Sequence, residues 1–114
     1  MPDSLDLVQG TLDVLILKTL SWQAAHGYGV SRAIRQRTGE VLAVDDAALY
    51  QALHRLERRG WVASEWGVSE NNRRAKYYQL TAQGRKQLTS EVTRWRRYVG
   101  AVASVLDATS PAPA

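Results

Sequence analysis

The sequence predicts a mainly α fold that carries one small β-hairpin and ends in a single long helix. Three observations lead there. Apolar residues recur at helical spacing in three short stretches before Gly60. Two strand-like stretches then flank a polar loop from Gly67 to Arg74. After Thr81, apolar positions step by four and three residues down one long helical segment.

Each element follows from local chemistry. Residues 1–10 read as an N-terminal arm, extended, with Leu5, Leu7 and Val8 available to pack. Thr11 or Asp13 starts the first helix, and Leu12, Leu15, Ile16 and Leu20 form its stripe. Val14 and Leu17 lie off that stripe, so this helix needs cover on a second face. His26-Gly27-Tyr28-Gly29 interrupts the pattern. Val30, Ala33 and Ile34 then indicate a short second helix that ends at Thr38, with Gly39 as its cap. Val41 to Val44 has β character. Asp45 or Asp46 is a good N-cap for a third helix, which stops at Gly60 and turns Leu49, Leu53 and Leu56 to the core.

Trp61 to Trp66 and Ala75 to Leu80 are the two strands, with paired tyrosines suited to a pleated surface. Thr81 caps the long helix, expected to run to Asp107. The tail 108–114 contains Pro111 and Pro113 and is expected to be disordered. Three helices followed by a two-stranded hairpin is the layout of a winged helix-turn-helix. The expected division is therefore arm 1–10, winged helix-turn-helix 11–80, C-terminal helix 81–107 and tail.

Composition narrows the function. With no cysteine, disulfides, thiol catalysis and cysteine-bound metal are excluded. The most apolar run, Leu12 to Leu17, is far too short for a membrane span, so a cytoplasmic location is expected. His26 and His54 are distant in sequence, and no carboxylate pair, activated nucleophile, phosphate loop or metal spacing stands out. No enzyme, cofactor or metal is expected.

The charge placement points to a polyanion. Residues 1–46 hold four basic and six acidic side chains, whereas residues 47–86 hold eight basic and three acidic. Positive charge thus gathers around the third helix and the hairpin, as in a nucleic-acid binder. With its leucines buried, the third helix exposes Ala47, Ala48, Gln51, His54, Arg55 and Arg58. Gln pairs with an adenine edge, Arg with guanine, and alanine admits a thymine methyl. Arg73 and Arg74 stand at the wing tip, where arginine suits phosphates or a narrow minor groove. Lys76 and Tyr77 are expected to donate to phosphate oxygens, and Tyr28 and Tyr50 complete the DNA-contact set. Asp45 and Asp46 oppose this reading unless they only cap the helix. They favour the alternative, a winged helix that dimerises and binds a protein rather than DNA.

Three stretches carry a family resemblance: HGYGVSRAI (26–34), ALYQALHRLERRGWV (47–62) and RRAKYYQLTAQGRKQL (73–88). In order they contain Leu49-Tyr50, Ala52-Leu53, Arg55-Leu56-Glu57 and Gly60, then Lys76-Tyr77-Tyr78, Leu80-Thr81 and Gly84. The chain is similar in these to the PadR family of bacterial transcriptional regulators, in a short branch with one helix after the wing. The resemblance implies a homodimer on a palindromic operator, often a repressor and often released by a small molecule. Members commonly have Gly then Ser or Thr before the Leu-Tyr, and Pro after it. Here Ala47, Ala48 and Gln51 stand instead, which alters base readout more than binding mode.

The last helix makes a separate case for a partner. Leu88, Val92, Trp95, Val99, Val102 and Leu106 form a heptad seam. They are expected to form a dimer interface, completed by the first helix through Leu17. Trp95 reads as interface core, with an aromatic small-molecule effector stacking on it as the alternative.

Overall fold

The computed structural model describes residues 5–7 and 10–111. Its elements are β1 (Leu5–Asp6), α1 (Thr11–Leu20), β2 (Ala25–His26), α2 (Gly27–Arg37), β3 (Leu42–Ala43), α3 (Asp46–Arg58), β4 (Val62–Val68), β5 (Arg74–Leu80) and α4 (Ala82–Leu106). The expected helix order and hairpin are therefore present. Strands β4 and β5 pair antiparallel, with Trp66 opposite Lys76 and Val68 opposite Arg74.

Two small pairings were not expected. Strand β2 joins the far side of β5, His26 opposite Tyr77, so the wing is a three-stranded sheet in the order β2-β5-β4. Strand β1 pairs parallel with β3, which docks part of the arm onto the Val41–Val44 run. Val8, and the tail from residue 112, lie outside the described residues.

Side-chain caps fix where three helices begin. Asp45 Oδ2 accepts from the Ala48 N–H at 2.9 Å and starts α3. Thr81 Oγ1 accepts from the Gly84 N–H at 3.0 Å and starts α4. Helix α2 starts three residues earlier than its apolar pattern suggests, because His26 Nδ1 accepts from the Gly29 N–H at 3.0 Å. Gly27 has a packing reason to be glycine: a Cβ there would lie 2.6 Å from the Tyr50 ring. The α2 start and α3 thus meet with an aromatic ring against bare backbone.

The core draws on every layer. Ile16, Leu17 and Leu20 of α1 meet Val30 and Ile34 of α2, Leu49, Leu53 and Leu56 of α3, and Val62, Tyr78 and Leu80 of the wing. Leu12 and Leu15 are only partly buried, so the α1 stripe is rotated from the one expected. Leu17 corrects an expectation outright. It is 0% exposed in the chain's own core and cannot also face a partner.

Helix α4 leaves this body along its length. Leu88 packs against the core, and Val92 and Trp95 are half-buried. Farther on, Val99 and Val102 are exposed by 44% and 41%, and Leu106 by 76%. At about 1.5 Å per residue, the 25 residues of α4 span about 37 Å. That length is comparable to the middle dimension of a molecule measuring 61 × 38 × 21 Å.

Candidate nucleic-acid interface

Helix α3 presents one open face. Leu49, Ala52, Leu53 and Leu56 are buried, which turns Ala47, Tyr50, Gln51, His54 and Arg58 to solvent. Ala48 is half-buried, and its N–H is taken by Asp45. Asp45 is therefore a cap, whereas Asp46 is exposed in the first turn of α3 and caps nothing, so the objection is answered for Asp45 alone.

The wing faces the same space. Side chains alternate along a strand, so Ser64 and Trp66 share a sheet face with Arg74, Lys76 and Tyr78. At the inner end this face packs on α3 through Tyr78, which is buried. At the outer end the sheet overhangs α3 and encloses a groove of about 480 Å³. Tyr28, Tyr50 and His54 line one wall, and Trp66, Arg73, Arg74 and Lys76 the other. Six of the residues expected to touch DNA are thus gathered around one groove, with Gln51 and Arg58 on the adjoining face of α3.

Three of the residues expected to touch DNA, Lys76 among them, are engaged by partners within the chain. Arg55, expected to read a base, forms a 2.5 Å ion pair with Asp13 that ties α3 to α1. Its place on the helix turns it toward α1, at the edge of the open face. Lys76 reaches the groove, but its Nζ lies 3.6 Å from Glu57, whose other oxygen accepts the Ser64 hydroxyl. Much of its charge is therefore offset. Tyr77 points to the opposite sheet face, where its hydroxyl donates to the Val68 carbonyl at 3.1 Å. It has no hydroxyl proton left for a phosphate. Among the described residues, Arg73 and Arg74 at the wing tip and Arg58 on α3 have no ion-pair partner, so their charge is left uncompensated.

Sequence reasoning missed Trp66 and Glu70. Trp66 was read only as a strand end, yet its ring lines the groove and lies 4.3 Å beneath the Arg74 guanidinium. The signal was its register opposite Lys76. Glu70, at the wing tip, lies 3.7 Å from His26 Nε2. A backbone hydrogen bond, followed by the influence of His26, holds its carboxyl below the usual carboxylate range. The wing therefore brings one carboxylate to the rim of a basic groove. In the floor, burial, followed by the charge of Glu57, pushes the Tyr78 phenol up.

A helix packed across two others, with a three-stranded wing folded over its open face, makes this a winged helix-turn-helix protein. Comparison with known proteins narrows that class. Residues 16–90 match the Transcriptional regulator PadR-like family. A transcriptional regulator from Clostridium thermocellum superposes with a TM-score of 0.76 at 30% identity, covering 84% of this chain and 90% of that one. A PadR family transcription regulator from Clostridium difficile gives 0.71 at 27% identity, covering 87% and 100%. An uncharacterised protein from Lysinibacillus sphaericus is 30% identical over 79% of this chain and 83% of its own length. The chain belongs to the PadR-like family of transcriptional regulators. Among the described residues, no helix is long and apolar enough to cross a membrane, and no cluster of three or more potential ligands is suited to a metal ion.

Proposed function

We propose that this chain is a homodimeric, sequence-specific regulator that represses transcription by holding a palindromic operator. The single observation that carries the reading is the convergence of Arg73 and Arg74 with the open face of α3 on one groove. Gln51, His54 and Arg58 enter the major groove and read base edges, with Ala47 and Ala48 allowing close approach. Arg73 and Arg74 hold the flanking phosphates or minor groove. Tyr28 and Tyr50 sit between these two contacts.

The seam of Val92, Trp95, Val99, Val102 and Leu106 clasps a second copy, with Leu88 at its inner end. Two recognition helices are then presented about 34–36 Å apart, one turn of DNA. Residues 11–80 act as the DNA-binding unit and 81–107 as the dimerisation helix, in the cytoplasm. An aromatic small molecule that wedges beside Trp95 would release the operator by changing the angle between copies.

The test is to enrich bound fragments from the source genome, then measure affinity for the shared site against salt. Six to ten phosphate contacts should weaken binding by roughly 10³ to 10⁵ between 50 and 200 mM salt. A flat salt response, or no enriched duplex at low salt, would leave the protein-binding alternative.

A further inference from the structure

The wing holds two arginines side by side, and the molecule treats them differently. Arg73 is exposed, and its backbone N–H donates to Ser69 in the loop. The Arg74 guanidinium instead lies over the indole of Trp66 at 4.3 Å. The register explains the contact. Trp66 opposes Lys76, so Arg74 is its diagonal neighbour on the same sheet face, within reach of a long side chain. Trp66 is 59% exposed, far more than an indole needs to be when it serves a core. It contributes nothing to the buried cluster. What it does touch is a cation at the mouth of the groove.

We propose that Trp66 is the positioning residue for Arg74, and that through it the wing senses minor-groove width. This rests on the DNA-binding reading above. A free arginine on a loop can bond any phosphate it meets. A guanidinium held over an indole is restricted in direction, and loses less rotamer freedom on binding. A cation so aimed gains most where the minor groove is narrow and its potential deepest, as in A-tracts. Tryptophan is the aromatic that holds a cation best. Lys76, the direct cross-strand partner, does not compete for the ring because Glu57 draws its ammonium toward α3.

The test uses the full chain and the enriched operator in two forms, one flanked by an A-tract and one by G·C pairs, read by fluorescence anisotropy at several salt concentrations. Wild type should prefer the A-tract flank. Trp66→Ala should lose about 2- to 5-fold in affinity on that flank, the range for an exposed cation–π contact, and little on the other. Its salt slope should be unchanged, because no charge is removed. Arg74→Ala should lose the same preference and also shallow the slope by about 0.9. The double variant should bind the A-tract flank no more weakly than Arg74→Ala alone. Trp66→Phe, which keeps a ring, should retain part of the preference, and thermal melting confirms that each variant folds. A Trp66→Ala protein that keeps the flank preference, or a double variant whose losses simply add, would overturn the proposal while leaving DNA binding intact. Wild type with no salt-dependent binding to any duplex would instead overturn the DNA reading and this proposal with it.

Discussion

The seam on α4 offers the sharpest prediction, and Val99→Asp is the perturbation. Val99 is 44% exposed in the single chain. Full burial of a valine contributes about 1.5–3 kcal/mol, so covering the exposed part in both copies contributes on the order of 1–3 kcal/mol. The substitution removes that and adds two carboxylates to an apolar contact, at several kcal/mol more unless they find partners. At about 1.4 kcal/mol per tenfold, the dimer should dissociate at least 100-fold more readily. Sedimentation velocity over a dilution series reads this directly. The monomer fold should be unaffected, since Val99 lies outside the chain's own core. Operator affinity should fall in step. A variant that stays dimeric at wild-type concentrations would refute the seam. So would one that melts early as a monomer, because Val99 would then be packing within its own chain.

Three further outcomes are expected. Gly84→Ala should lower the melting temperature by several degrees despite alanine's helix propensity, because its Cβ would fall 1.9 Å from the Trp61 carbonyl oxygen and backbone cannot step aside. Glu70→Gln should tighten DNA binding at low salt by removing the carboxylate at the groove rim, and the gain should shrink as salt rises. Tyr78 has its folded value raised above the unfolded one, so its contribution is intact below about pH 10 and is lost as pH rises through the folded value. Denaturation midpoints over an alkaline series should therefore fall less steeply in Tyr78→Phe than in wild type.

How far the sequence could be read depended on how local each determinant was. Helix α3 and the start of α4 were legible because a cap and an apolar period agreed: Asp45 with Leu49, Leu53 and Leu56, and Thr81 with the seam. The start of α2 was not, since two glycines argue against a helix and the imidazole cap at His26 is an unusual one. Strands β1 and β2 have two residues each, too few for any alternation to register, whereas β3 lies within the Val41–Val44 run expected to be extended. The site divided in the same way. Strand period and helix face located the groove, but not which cations were already paired. Asp13 lies 42 residues from Arg55 and Glu57 lies 19 from Lys76, so those pairings depend on packing that no local pattern encodes. The loss of Leu17 from the interface has the same origin. A helix apolar on two sides asks for two covers, and here α2, α3 and the wing supply the cover that Leu17 needs.

The corner where α3 turns into β4 shows why a distant seam bears on the groove. The Thr81 hydroxyl donates to the Gly60 carbonyl at 2.7 Å, and the Thr81 N–H donates to the Trp61 carbonyl at 3.1 Å. Gly84 then brings the first turn of α4 against that same carbonyl, closer than any side chain would allow. The C-terminal end of α3, the root of the wing and the start of α4 therefore share one set of short contacts, with little room for a hinge. In the dimer reading, a rotation of α4 about the seam is expected to carry α3 and the wing with it. Over the roughly 37 Å of α4, a tilt of about ten degrees displaces the far end by about 6 Å. That is enough to take a recognition helix out of register with a groove spaced at about 34 Å per turn. In the dimer reading, the seam is thus a place where a small molecule can act on operator binding without touching the DNA-facing residues.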